Sequence, residues 1–289
     1  FRRVLFPILQ TRVEGGGAPR ERLGAQRSGR VRRPQQDLGL LQDIFLDAAP
    51  RVDPARAVTA AQRFHDASTD AARQAALRIR EAEIRLVYLD QAENGKQILA
   101  NVIRRGGEPA ERARIRIGDL YLHEGDLNKA TQLYADVQQR VRHQRQGTPR
   151  PGEPQLDSWK LGAVKDAADS QQVAKLIWEM NPLEARRTLD RWEREFPLSK
   201  IGEDFILQEA KLYMDLGDWK RARWLLEPYC RLVDASSYLP DSALALVRCL
   251  KKMDAPRDTI AETVAFLKKR LEFHPVAAKL EAYLADNPQ

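Results

Sequence analysis

The chain has 289 residues, 43% of them apolar and only 7% aromatic, with Ala, Leu, Arg and Glu abundant; it is long enough to bury a core and weighted toward helices rather than sheets. Two cysteines without CxxC spacing exclude a disulfide framework, four scattered histidines form no metal-ligand motif, and no apolar run approaches the roughly 20 residues that cross a bilayer. The formal charge of +7 is carried wholly by residues 1–36, where Arg2, Arg3, Arg12, Arg20, Arg22, Arg27, Arg30, Arg32 and Arg33 stand against Glu14 and Glu21, leaving the other 253 residues neutral.

In chain order, residues 1–36 hold Gly15, Gly16, Gly17, Gly24 and Gly29 with Pro19 and Pro34, and show neither helical nor alternating periodicity. They read as an extended Arg/Gly-rich arm, without the apolar area that would offset the entropy of ordering it. Because the first residue is Phe1 rather than Met, a segment upstream is expected. From residue 37 apolar positions recur at helical spacing. A helix starts on Asp37 as N-cap and ends before Pro50, and another begins at Asp53-Pro54, with proline at the first helical position. Further helices are predicted over 70–89, 93–104, 108–124 and 126–145. Residues 147–157, "GTPRPGEPQLD", carry three Pro and two Gly in eleven positions and read as a linker between N-terminal helical repeats over 37–146 and C-terminal repeats with a cap helix over 158–289. The second set is predicted as helices 158–180, 182–195, 202–216, 218–233, 240–253, 257–273 and 276–285; Pro197 and Pro275 close two of them.

Two stretches 92 positions apart, "GDLYLHEGDLNKATQLY" at 118–134 and "AKLYMDLGDWKRARWLL" at 210–226, share six identities in seventeen residues. Each shared residue has a mechanical task. Gly125 and Gly217 fall where a first helix ends in a left-handed residue, and Asp126 and Asp218 cap the exposed amides of the next helix. Gly118 opposite Ala130, and Ala210 opposite Ala222, let two helices cross closely, while Tyr121 and Tyr213 fill the space one turn farther on. The pattern is that of a tight antiparallel helix pair.

These residues resemble the tetratricopeptide repeat, a helix pair of about 34 residues with small and aromatic side chains at fixed offsets. Gly118, Tyr121, Ala130 and Tyr134 stand at its signature positions in one unit, and Ala210, Tyr213, Ala222 and Leu226 in another. Further units are phased on Leu86, Gly95, Leu99 and Val102, on Ala185, Leu189, Trp192 and Pro197, and on a degenerate pair over 240–273, so that the resemblance covers about 70–286. It implies an all-α superhelical solenoid of antiparallel helix pairs that holds partners in a concave groove and carries no reaction of its own. Carried onto this sequence, the groove positions are Arg80, Ile84, Val87 and Tyr88, then Arg112, Ile115, Asp119, Leu122 and His123, then Trp178, Lys211, Met214 and Asp215. Relatives that grip a peptide carboxylate have Lys and Asn at recurring groove positions; Ile115 and Asp119, or Leu207 and Lys211, stand there instead, and a mixed apolar and charged contact is expected. The stretch around "EFP" and Pro240, Ser242 and Ala243 is similar to bacterial envelope repeat proteins of outer-membrane assembly or cell division, which implies the periplasm or cell envelope.

No phosphate loop, GxSxG nucleophile turn or HExxH motif occurs, so no catalytic, cofactor or metal residue is assigned. Acidic residues interleave with Arg at helical spacing, as in "REAEIR" (80–85) and "ERARIR" (111–116), which reads as a salt-bridged outer face. Trp192, Trp219 and Trp224 fall at packing positions, whereas Trp178 is the best apolar anchor for a partner. Cys230 and Cys249 read as small core residues on neighbouring helices, with a single disulfide left open. The expected function is a non-catalytic protein-interaction scaffold, a subunit of a larger assembly, binding other proteins or copies of itself through the groove and the arm. The alternative is nucleic-acid or anionic-surface binding through the nine arm arginines, although Phe1 and Phe6 alone are there to stack on bases.

Overall fold

The computed structural model describes residues 34–145 and 158–285, with 203 and 235 excepted, and is all-helical over them, with fourteen α-helices and no strand among the described residues. The chain divides into two compact units, 1–40 and 41–289. Of the first, the structure describes the opening of α1 (Pro34–Ala48). The second holds the rest of α1, then α2 (Pro54–Ala67), α3 (Ala71–Tyr88), α4 (Ala92–Arg105), α5 (Glu108–His123), α6 (Leu127–Arg145), α7 (Ser158–Trp178), α8 (Pro182–Glu195), α9 (Ser199–Gly202), α10 (Phe205–Asp215), α11 (Trp219–Leu232), α12 (Leu239–Lys252), α13 (Arg257–Arg270) and α14 (Val276–Ala285). The arm arginines Arg2 to Arg33 and the 147–157 linker lie outside the described residues.

Local chemistry accounts for most helix ends. Asp53 accepts the Arg56 amide at 2.9 Å with Pro54 behind it, and Asp70, Asn181 and Asp218 likewise cap α3, α8 and α11. Gly125 (φ 93°) and Gly217 (φ 74°) take the left-handed conformation expected of them, and Asp126 and Asp218 then accept the Lys129 and Arg221 amides at 3.0 and 3.2 Å. The helix expected over 202–216 is shorter, starting at Phe205, because a separate turn of helix, α9, precedes it.

Successive helices pack on one another from α2 through α6, in α7–α8, in α10–α11–α12 and in α13–α14, while α3 also touches α5 and α10 touches α7 and α12. Gly118 is where α6 comes closest: a Cβ there would meet the buried Tyr134 ring at 2.4 Å. Tyr134 therefore fills the space at this crossing, and Tyr121 lies half-buried at its edge, with the Lys96 and Lys129 ammonium groups 5.7 and 5.6 Å from its ring centre. Tyr213, its counterpart, is fully buried. Trp192 is core as expected, while Trp219 and Trp224 are half-buried. Cys230 and Cys249 are buried free thiols, and burial pushes the Cys249 thiol up to about 12.

The buried apolar residues form four clusters, and none spans the chain. Three belong to residues 46–137, built on Leu46 to Tyr88, Ala75 to Leu120 and Ile115 to Val137; the fourth and largest runs from Val173 to Leu280. The buried members of each cluster thus come from one half alone, 41–145 or 158–285, while Trp224, Leu198, Ile201 and Leu232 of the second half pack against two clusters of the first. The halves meet where α11 lies against α3 and α5, and where α8 lies against α6.

Candidate functional site

The groove positions fall into two groups. Arg80, Tyr88, Asp119 and His123 come together along α3 and α5, on the face that α11 covers, and Ile84, Val87, Ile115 and Leu122 beside them are buried. Trp178, Lys211 and Asp215 are exposed, and Met214 is part of the core. Arg112 stands at the rim, 3.6 Å from Asp190.

The covered face is ionic. Arg116 on α5 donates from both terminal nitrogens to Glu193 of α8 at 2.6 and 2.9 Å, and from Nε to Glu83 of α3 at 2.6 Å. Lys200, with 0% exposure, donates to Glu193 at 2.5 Å and reaches Asp119 at 2.9 Å, which also accepts from Arg116 at 2.9 Å and from the Tyr134 hydroxyl at 2.6 Å. Arg221 of α11 reaches Glu83 at 3.3 Å, and Arg80 joins Glu83 (2.7 Å) to Asp47 (2.5 Å). The Tyr213 ring is held between the Arg186 and Arg221 guanidinium groups, 4.6 and 4.4 Å from its centre. At the end of the face the Tyr88 hydroxyl donates to Asp218, and the His123 ring stacks on Trp224 at 4.9 Å.

Five carboxylates (Asp47, Glu83, Asp119, Glu193, Glu209) meet five cations (Arg80, Arg116, Arg186, Lys200, Arg221), so the network is neutral as a whole. Burial pushes the Glu83 carboxyl up, but Arg116, Arg221 and Arg80 outweigh it and hold it well below the usual range; Arg116 and Lys200 do the same to Glu193. Burial pulls the Lys200 ammonium down, and Asp119 and Glu193 more than reverse it. Loss of water from the stacked face lowers the pKa of His123, whose edge stays exposed. Glu83 and Glu193 are therefore ionised and paired, a state suited to fixing two surfaces in register rather than to moving a proton. A cavity of about 20 Å³, room for one water, lies between Glu83, Arg116, Asp119, Glu209 and Arg221. Glu209 Oε2 has no hydrogen-bond partner among the described residues.

No family model matches the chain, and neither does a curated protein or a solved structure.

The interleaved charges of "REAEIR" and "ERARIR" do not lie on an outer face as the sequence suggested. Glu81 is buried under Gln62, Arg78 and Arg85, and Glu83 and Arg116 are drawn into the network because the other half supplies their partners. Sequence reasoning missed Glu83, Glu193, Lys200 and Arg221. The one local signal was Lys200 itself, set in "PLSKIG" between Leu198 and Ile201, where a lysine has no solvated face to occupy. Among the described residues no group of His, Cys, Asp and Glu is arranged to hold a metal ion, and no helix is long and apolar enough to cross a membrane.

Proposed function

We propose that the chain is a non-catalytic protein-interaction scaffold, a subunit of a larger assembly, built as a tetratricopeptide-like solenoid of antiparallel helix pairs. The observation that carries the reading is Trp178. Its side chain ends α7 at 88% exposure, Met180 beside it is 87% exposed, and the short turn joining α7 to α8 holds both. Water-exposed Trp and Met on a well-anchored turn are what a partner's pocket takes up at the centre of an interface. The helix-pair reading is supported by the two Gly-Asp turns, which have the same left-handed glycine and the same capping bond. Because α11 covers the α3–α5 face, the groove positions left exposed to meet a partner are Trp178, Lys211 and Asp215; the arm arginines are proposed as a second contact from their charge in the sequence alone.

The test is co-purification of the full chain from its native source, wild type against Trp178→Ala with Met180→Ser. The expected result is a defined partner retained by the wild type and lost by the variant, at unchanged helicity. A partner held equally by both, or none under any condition, overturns the assignment.

A further inference from the structure

The seam between the halves has a chemistry unlike either core. The buried members of each apolar cluster come from one half alone, and the apolar side chains that reach across are half-buried: Trp224 against the Val87 cluster, and Leu198, Ile201 and Leu232 against the Ile115 cluster. Beside them, and beside the buried Leu86, Val87 and Leu225, the seam buries charge arranged in sequence, with Glu83, Arg116 and Asp119 on one side answered by Arg221, Glu193 and Lys200 on the other. A foreign surface laid on α3 and α5 would leave some of these ions buried and unpaired, which is strongly unfavourable. One surface that matches them all is the surface already there, and every copy of the chain carries it.

We propose that this seam exchanges between copies, so that α8 and α11 of one chain seat on α3 and α5 of a second while the reciprocal seam forms from the remaining halves. The partner this face fits is a second copy of the chain. Every ion pair of the closed monomer is remade in the exchanged dimer, so the balance between the two is set by protein concentration and by the single covalent crossing between residues 145 and 158, not by new contacts. The halves can part and re-pair because each keeps its own apolar core. This inference stands apart from the scaffold reading: it needs neither Trp178 nor an outside partner.

The stacked pair His123 and Trp224 provides the test, since it bridges the seam at 4.9 Å and both residues reach the surface. In full-length chains whose native thiols are removed by Cys230→Ala and Cys249→Ala, one carries His123→Cys and another Trp224→Cys; a third carries both changes as the control in cis. The chains are mixed at high concentration, loosened in moderate urea, dialysed and oxidised. The expected result is a cross-linked species at twice the 32.9 kDa chain mass, at least ten times more abundant than when Val52→Cys, a control on a residue 81% exposed, replaces His123→Cys. The double variant should lock as a monomer in dilute solution. If it locks while the mixed chains give no more dimer than the Val52 control, the seam does not exchange and the proposal is wrong. If the double variant does not lock either, α5 and α11 are not neighbours, and the proposal falls with them. Light scattering of the wild type, taken through the same urea and dialysis steps under reducing conditions without oxidation, gives the independent reading: a monomer at every concentration overturns the proposal.

Discussion

Lys200→Met isolates the seam's ionic core. The lysine is fully buried, donates to Glu193 and pairs with Asp119, and methionine matches its length without its charge. Removing one partner from a buried ion pair costs about 3–5 kcal/mol, because the remaining charge stays in a place water cannot reach. Here the lower end applies, since Arg116 still holds Glu193 by two bonds and Asp119 keeps Arg116 and the Tyr134 hydroxyl. A loss of about 3 kcal/mol is about a 150-fold fall in the folding equilibrium. For a body of this size it lowers the melting midpoint by roughly 6–12 °C. Urea titration followed by both far-ultraviolet circular dichroism and tryptophan fluorescence measures it, and coincidence of the two probes shows whether the halves unfold together. Adding Glu193→Gln removes the carboxylate that Lys200 neutralises, so the double variant should lose clearly less than the two single losses combined. A Lys200→Met cost below about 1 kcal/mol, or strict additivity in the double variant, would refute the view that these residues act as one network.

Gly118→Ala should destabilise by about 1–2 kcal/mol in a thermal melt, an overpacking cost against the Tyr134 ring reduced by alanine's better helix propensity; in a Tyr134→Leu background, which itself loses the bond to Asp119, the added cost of Gly118→Ala should largely vanish. Asp218→Ala should cost about 2 kcal/mol by urea titration, because it removes both the cap on α11 and the acceptor of the Tyr88 hydroxyl; Asp126→Ala, whose carboxylate is on the surface, should cost less. The folded Glu83 and Glu193 carboxyls titrate below their unfolded value of 4.5, so the stability they give is complete above that value and is lost as the pH falls beneath it. The urea midpoint should therefore drop steeply below pH 4.5, and Glu193→Gln should flatten the drop.

Much of the helix map was legible because the chain marks its own turns. Gly125, Gly217, Asp53, Asp218, Pro54 and Pro182 each have a local conformational reason to be where they are, and a reader of one sequence can use that reason. Where the marks are absent the ends blurred. The turns after α3, α7 and α12 use Asp90, Met180 and Asp254 in the left-handed region, at φ 55°, 54° and 52°, and without glycine there the expected helices ran one or two residues too far. The four-residue α9 is too short for any periodic pattern. The seam was beyond local reading for a different reason. Its pairs join residues 77 to 138 positions apart, and an Arg that pairs across such a distance looks, along its own helix, the same as one facing water.

The repeated turn shows how the two kinds of information are layered in one stretch of chain. At the positions that make the turn and the contact between its helices the two copies agree: Gly125 with Gly217, Asp126 with Asp218, Ala130 with Ala222, Leu133 with Leu225. At the positions between, they differ, and the differences follow the seam. Lys129 is exposed and pairs with its own cap, Asp126, while its counterpart Arg221 is buried and reaches Glu83 in the other half. Gln132 is exposed, while its counterpart Trp224 lies on His123. Asp119 belongs to the ionic network, while its counterpart Lys211 is left at the surface. A guanidinium can serve a distant carboxylate and a stacked ring at once where an ammonium serves a single point, so the change from Lys129 to Arg221 turns a helix that caps itself into one that also holds Tyr213 and Glu83. The shared residues build the pair; the unshared ones decide what covers it.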